Sequence, residues 1–294
     1  HVAKALWGIF DWKDTFEALR GASLKERVEF LGKAYAHGTA QFELGGAEQE
    51  DVIKYNDIVY THSDAEVMAI LKEARQWSLD YFDNIYTRLG SHFDRLYFES
   101  ELPARGIELV NDGIKKGIFV KSEGAIIFKG SSYGLHDRVF INSKGFPTYE
   151  AKELALAEMH YAEYNPDTVI HVVGKEQAEY FKVLFKTLEL VFPNSAGKEH
   201  HLVGGFLQLK GDQKMSSRKG NIITGDELIE EVTERVAAVM ASVSKENKTS
   251  NQHILEKVST AALKYGMLKN NVSQDVSFDL EESLLASLIS IAIS

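Results

Sequence analysis

Apolar residues recur at helical spacing through the first third of the chain, and the polar stretches between them carry helix start and stop signals. Val67, Ile70, Leu71, Ala74, Trp77, Leu79, Phe82 and Ile85 keep one apolar face until Gly90, which predicts a long helix stopped by glycine. Two capping boxes, Ser23 with Glu26 and Ser63 with Glu66, mark helix starts within a charged, helix-rich region spanning 22–105. Trp77, Tyr81 and Phe82 could form a stacking platform for bases, but aromatic residues at this spacing read first as core. The glycines between Gly38 and Gly46 lack phosphate-loop spacing and read as a connection.

From Ile107 onward short apolar runs alternate with helical stripes, the pattern of a parallel sheet with crossover helices. Ala125–Lys129 and Arg138–Asn142 read as strands, and Thr168–Val173 as a fully buried strand broken at Gly174. Tyr180, Phe181, Leu184, Phe185 and Leu188 form the next helical stripe. Near the end come two amphipathic helices, one with Leu228, Ile229, Val232, Val236 and Met240, the other with Ile254, Val258, Ala261, Ala262 and Tyr265. The polar run Lys245–Ser250 joins them.

Two strand-to-helix junctions carry candidate chemistry. Pro147 and Thr148 open a helix with Tyr149 in its first turn, so Tyr149 and Glu153 share one face. A phenol beside a carboxylate at a helix entrance can hold a cation, or it can be a packed tyrosine beside a solvated glutamate. Gln177 falls in the first turn beyond the Thr168–Val173 strand, where open α/β sheets bind ligands, although glutamine there can also be plain surface.

The segment Lys214-Met215-Ser216-Ser217-Arg218-Lys219-Gly220-Asn221 concentrates three cations, two hydroxyls and a glycine between an apolar run, Leu202–Lys210, and the capping-box spacing of Thr224 to Glu227. It suits a phosphate chain, with the cations meeting charge on a departing pyrophosphate; it is equally readable as a solvated basic loop.

Composition narrows the classes. The 294 residues are 44% hydrophobic, enough for one large core or two moderate ones. A net charge of -10 gives no global signal for nucleic acid, so an RNA partner would need a local basic surface. The chain has no cysteine, which removes disulfides and thiolate metal sites. Adjacent His200 and His201 point to different sides and have no ligand cluster near them in sequence, so no metal site is expected; His171 reads as a satisfied core residue. No serine or cysteine has an evident base partner. No signal peptide is evident, and the apolar run Leu284–Ile293 is too short to span a bilayer as a helix.

The Lys214–Asn221 loop resembles the second signature of class I aminoacyl-tRNA synthetases, and the upstream segments resemble the arginyl branch, from His1 to about Glu282. The resemblance implies an α/β, Rossmann-like parallel-sheet catalytic domain with a helical insertion and a C-terminal helical module. The expected divisions are 1–21 as a remnant of the first half of the nucleotide-binding fold, 22–105 as the insertion, 106–225 as the second half with the signature loop, and 226–294 as a helical stem-contact module. The first signature, His-Ile-Gly-His, does not occur, and Leu284–Ser294 does not continue into an anticodon-binding bundle, so the chain reads as truncated at both ends.

By the same resemblance, Tyr149, Glu153 and Gln177 contact the arginine side chain, in motifs like Thr-Tyr-x-x-x-acid and Val-Gly-x-x-Gln. Glu153 stands where many relatives have aspartate. His201, Gly205, Phe206 and Met215 would border ATP, while Lys214, Ser216, Ser217, Arg218 and Lys219 would be catalytic. Ser217 replaces a lysine common in the class, leaving Arg218 and Lys219 as substitutes. The implied activity is arginine-tRNA ligation in the cytoplasm by a monomer acting on L-arginine, ATP and tRNA(Arg), with Mg2+ accompanying ATP and no membrane partner. Two alternatives stay open: another class I synthetase, and an inert fragment or arginine- or RNA-binding module that keeps the amino-acid pocket.

Overall fold

The computed structural model describes residues 1–205, 207–209, 225–243 and 252–278. The described residues divide into two compact units, one holding 1–92, 225–243 and 252–264, the other 93–205, 207–209 and 265–278.

The first unit begins with helices α1 (Val2–Asp11), α2 (Lys13–Ala18), α3 (Leu24–Leu44), α4 (Gly46–Thr61) and α5 (Ala65–Leu89). Ser23 and Glu26 form the expected capping box on α3. On α5 the cap is Asp64 rather than Ser63: its carboxylate accepts from the amides of Glu66 and Val67 at 2.9 and 3.0 Å. An ionised acceptor serving two amides next to the helix dipole outcompetes a neighbouring hydroxyl. Gly90 ends α5 in the left-handed conformation, as its position predicted.

The stretch from Gly38 does not form the expected connection, because α3 continues through it to Leu44 and stops only at Gly45. A Cβ at Gly38 would lie 1.9 Å from the Lys4 carbonyl, and one at Gly8 would lie 2.1 Å from the Ala34 carbonyl. Glycine therefore sets how closely α1 and α3 approach. Leu6, Ile9, Phe16, Phe30, Val67, Ile70 and Trp77 fill the core of this unit, and the Phe16 and Trp77 rings stack at 4.5 Å. Trp77 is core as expected, whereas Phe82 is exposed.

The second unit opens with helix α6 (Pro103–Lys115). Strands β1 (Phe119–Ser122), β2 (Ala125–Phe128) and β3 (Arg138–Ile141) follow as an antiparallel meander rather than a parallel sheet. The two-residue turn Glu123-Gly124, both at positive φ, permits only the antiparallel return. Helix α7 (Tyr149–Tyr164) then leads to β4 (Val169–Gly174), α8 (Ala178–Val191) and β5 (Glu199–Gly204), a β-α-β unit whose strands pair in parallel from Val169 opposite Glu199 to Gly174 opposite Gly204. Strand β6 (Leu207–Leu209) comes next. Phe119, Phe128, Phe140, Leu154, Phe181 and Leu184 are central to this unit's core.

The β4 run is not buried on both faces. Ile170 and Val172 are exposed, as is Leu202 opposite Val172 on β5. Helices α9 (Gly225–Val243) and α10 (Gln252–Leu268) follow, and β7 (Val276–Phe278) pairs in parallel with β6. On α9 the predicted Leu228, Ile229, Val232 and Val236 are buried. On α10 the buried stripe is Leu255, Ser259, Ala262 and Leu263, offset from the expected one, with Ile254 and Tyr265 exposed. Among the described residues no helix is long and apolar enough to cross a membrane.

Glu199 ties three elements of the second unit. Its buried carboxylate accepts from the Tyr161 hydroxyl of α7 at 2.8 Å and lies 2.7 Å from the His171 ring nitrogen of β4. Replacing Glu199 with alanine strands both partners, and urea unfolding is expected to lose about 1–3 kcal/mol; a Glu199→Ala protein as stable as the parent would contradict the tie. Gly8→Ala is expected to lower stability by a comparable amount, roughly 1–3 kcal/mol from overpacking, in the same assay.

Candidate functional site

The start of α7 is fixed by its neighbour strand rather than by a cap. The Thr148 hydroxyl donates to the carbonyls of Val139 and Phe140, at 2.7 and 3.0 Å, and the Thr148 amide donates to Phe140 at 2.9 Å. These bonds hold the N-cap of α7 against β3 and put Tyr149 in the first turn, as the sequence predicts.

Glu153 lies one turn along the same face, half-buried, with the Tyr149 hydroxyl hydrogen-bonded to its carboxylate. Burial pushes the Glu153 carboxyl above the ordinary glutamate value; the Tyr149 hydrogen bond and His171 oppose this, while Glu199 and Glu99 add to it. The Tyr149 phenol is pushed up to about 12, first by burial and then by the Glu153 charge. Nearby cations are engaged elsewhere: Lys152 pairs with Glu99, and Arg138 lies 3.6 Å from Glu150 with its guanidinium over the Tyr180 ring. Among the described residues no lysine or arginine is paired with Glu153.

Gln177 is the N-cap of α8, at the end of a short 3-10 turn after β4. Three residues on, the Tyr180 ring meets that of Tyr149 at 5.5 Å and that of Phe181 at 5.2 Å. The structure thus brings Tyr149 and Glu153 into direct contact and links them to the Gln177 helix start through Tyr180. No hydrogen bond joins the Gln177 amide to either. The sequence reading missed Tyr180 and Glu199. Tyr180 read as one more member of an apolar stripe, and nothing local to Glu199 marks it, since its partners lie on other elements.

His201 and Gly205 are occupied by packing. The His201 ring stacks on Phe181 at 4.8 Å, with its Nε2 3.2 Å from the Val173 carbonyl. A Cβ on Gly205 would lie 1.8 Å from the Gln274 carbonyl, so close chain approach is what requires glycine there. His200 is exposed while His201 is not, consistent with opposite-facing neighbours on a strand. Phe206, Lys214, Met215, Ser216, Ser217, Arg218 and Lys219 lie outside the described residues. Among the described residues, no group of three or more His, Asp or Glu side chains is placed to hold a metal ion. The surroundings of Glu153 are net acidic, with Glu99, Glu150 and Glu199 near it, an arrangement suited to a cationic group.

Comparison with known proteins agrees. The family model described as tRNA synthetases class I (R), catalytic domain, matches residues 52–280. Arginine--tRNA ligase of Treponema pallidum is 33% identical over 224 residues, covering 76% of this chain and 38% of the relative. The one of Flavobacterium psychrophilum is 29% identical, covering 97% of this chain and 50% of the relative. The chain therefore spans half or less of the length of these curated relatives. Arginyl-tRNA synthetase from Plasmodium falciparum superposes with a TM-score of 0.71 at 17% identity, over 97% of this chain and 46% of that one. The Thermus thermophilus enzyme gives 0.70 at 20% identity, over 96% and 52%. A helix-rich α/β chain with this match over most of its length belongs to the class I tRNA synthetases of the arginine type, through their catalytic domain.

Proposed function

We propose that the whole protein is an arginine-tRNA ligase and that Tyr149, Glu153 and Gln177 of this chain hold the arginine side chain. The observation that carries this is Glu153: a half-buried carboxylate, raised by burial, bonded by Tyr149 and paired with no lysine or arginine among the described residues. Such a group is costly to keep ionised unless a cation is delivered to it. A guanidinium matches it better than an ammonium, since its planar fork can donate two parallel hydrogen bonds to one carboxylate.

The chemistry follows from that position. The arginine carboxylate attacks the α-phosphate of ATP and expels pyrophosphate. The 2′-hydroxyl of the terminal adenosine of tRNA(Arg) then attacks the arginyl carbonyl of the resulting adenylate, taking the arginyl group as an ester and releasing AMP. Neither step needs a protein nucleophile; alignment and charge stabilisation do most of the work. In this reading Lys214, Arg218 and Lys219 meet the charge growing on the pyrophosphate, with Ser216 and Ser217 donating hydrogen bonds. His201, the Gly205 backbone, Phe206 and Met215 border the nucleotide. Mg2+ would travel with ATP on phosphate oxygens and water; His201 and Gly205 offer it no hard oxygen side chain.

The reading takes the parallel β4–β5 pair and α8 as part of a Rossmann-like class I layout, with residues 1–21 as a remnant of its first half and the helices within 22–105 as its insertion. Its compartment is the cytoplasm, where arginine, ATP and tRNA meet.

Calorimetric titration of the folded chain with L-arginine, against L-lysine and L-citrulline, is expected to give selective arginine binding. Glu153→Gln is expected to weaken it at least about a hundredfold, from the roughly 3 kcal/mol cost of breaking a buried pair. Unchanged arginine affinity in that variant would remove the assignment.

The same variant is expected to be more stable than the parent. A carboxyl whose folded value is raised holds its proton more tightly when folded, so its ionisation destabilises the fold above that value. Glu153→Gln should therefore raise the thermal unfolding midpoint at neutral pH. The advantage should shrink as pH falls through the raised value and vanish below the ordinary 4.5, where the glutamate is neutral in both states. A midpoint lowered at neutral pH would mean that the charge is compensated within the chain.

A further inference from the structure

Tyr180 carries a feature that packing alone does not explain. The residue is only 9% exposed, yet its hydroxyl has no hydrogen-bond partner among the described residues. Buried hydroxyls are nearly always bonded, and one left without a partner needs a reason. Among the described residues, three other buried side-chain polar atoms share this condition: Arg27 Nε, Thr39 Oγ1 and Ser195 Oγ. The Arg27 guanidinium rests on the Trp77 ring, Thr39 lies within α3, and Ser195 lies beyond the far end of α8. Tyr180 alone among them adjoins the candidate arginine site.

The surroundings of the hydroxyl are specific. The Tyr180 ring packs against Tyr149 on one side and lies beneath the Arg138 guanidinium on another. Burial, followed by the charges of Glu153 and Glu150, pushes the phenol above its ordinary range and keeps it protonated. Protonated, the oxygen has one hydrogen to donate and two lone pairs to accept with.

We propose that Tyr180 is a further contact for the cationic side chain of the substrate, its hydroxyl oxygen accepting a guanidinium N–H that the Glu153 carboxylate leaves unused. The proposal rests on the arginine reading of Glu153 and deepens it. A guanidinium presents five N–H donors in a rigid plane, and a carboxylate fork takes two of them. A buried site must supply acceptors for the rest or lose their hydration uncompensated. The Tyr180 oxygen is such an acceptor, lodged beside Tyr149 and on the helix that Gln177 caps. Lysine, with three donors on one nitrogen, lacks the planar fork that takes both carboxylate oxygens in parallel and still leaves N–H groups for the tyrosine oxygen. Tyr180 thereby favours arginine over lysine.

Tyr180→Phe tests this, because it removes one oxygen and leaves the ring packing intact. The chain, Tyr180→Phe and Glu153→Gln are each titrated calorimetrically with L-arginine and L-lysine, and their thermal unfolding midpoints are recorded. The expected result is an arginine affinity about tenfold or more weaker for Tyr180→Phe, from the size of a hydrogen bond to a charged group, with an unfolding midpoint equal to or above that of the parent. Weaker arginine binding with preserved stability supports the proposal, since a merely structural hydroxyl would lower the midpoint. If Glu153→Gln loses arginine while Tyr180→Phe binds it as the parent does, the Tyr180 contact is overturned and the arginine site stands. A lowered midpoint with unchanged affinity overturns it as well, by making the hydroxyl structural. A folded parent that takes no arginine overturns both.

Discussion

The buried carboxylate of Glu199 is the interaction on which the second unit's geometry depends. Both of its oxygens are engaged, one by Tyr161 from α7 and one by His171 from β4, and it belongs to β5 itself. Three elements distant in sequence therefore meet at one charge. A charged acceptor bonded on both oxygens is a strong, directional tie, and the burial that makes it costly to break also makes it stiff. The consequence reaches Glu153. Helix α7 is held at its start by Thr148 on β3 and at its far end by Tyr161 on Glu199, with Glu153 between the two anchors. The same Glu199 charge adds to the acidity of the surroundings that Glu153 experiences.

Rigid support of this kind suits a group that is unfavourable where it stands. Glu153 is disfavoured by burial and by neighbouring carboxylates, and only a tyrosine hydrogen bond and a histidine work in its favour. A helix free to shift would carry the carboxylate outward to water. Aromatic packing opposes that shift from the other side: Tyr149 meets Tyr180, Tyr180 meets Phe181, and Phe181 meets both His171 and His201. The ring chain runs from the helix entrance to the two parallel strands, so the site and the sheet share one packing unit.

Local signals in the sequence were legible, and those that depended on distant partners were not. The Ser23–Glu26 box, the Gly90 stop, the first-turn position of Tyr149 and the β2 and β3 strands each depend on residues a few positions apart. Gly38 was read as a connection because its reason is the Lys4 carbonyl across a helix crossing, which no local pattern contains. The parallel sheet with crossovers expected from Ile107 onward is found in the β4–α8–β5 unit but not in β1 to β3, because alternation of apolar and polar positions does not reveal strand direction; the Glu123-Gly124 turn does. On β4, apolar content suggested burial on both faces, and the described residues cover one. Of the site itself, Tyr149 and Glu153 could be paired by helical spacing alone. Glu199 could not be found that way, since its partners lie 38 and 28 residues off.

Two departures from satisfied packing converge at one place, and a single ligand chemistry answers both. Among the described residues, the Glu153 carboxylate has no lysine or arginine partner and the buried Tyr180 oxygen has no donor. A neutral donor would satisfy the tyrosine and leave the carboxylate unbalanced; a spherical cation would balance the carboxylate and bring the tyrosine oxygen no N–H donor. A planar cation with several N–H donors meets both needs at once. Each group lowers the stability of the empty protein, which is the usual relation between a binding site and its scaffold. The supporting ties at Thr148 and Glu199 offset that loss without touching the ligand, so the parts of the unit that bind and the parts that hold it together are chemically separate.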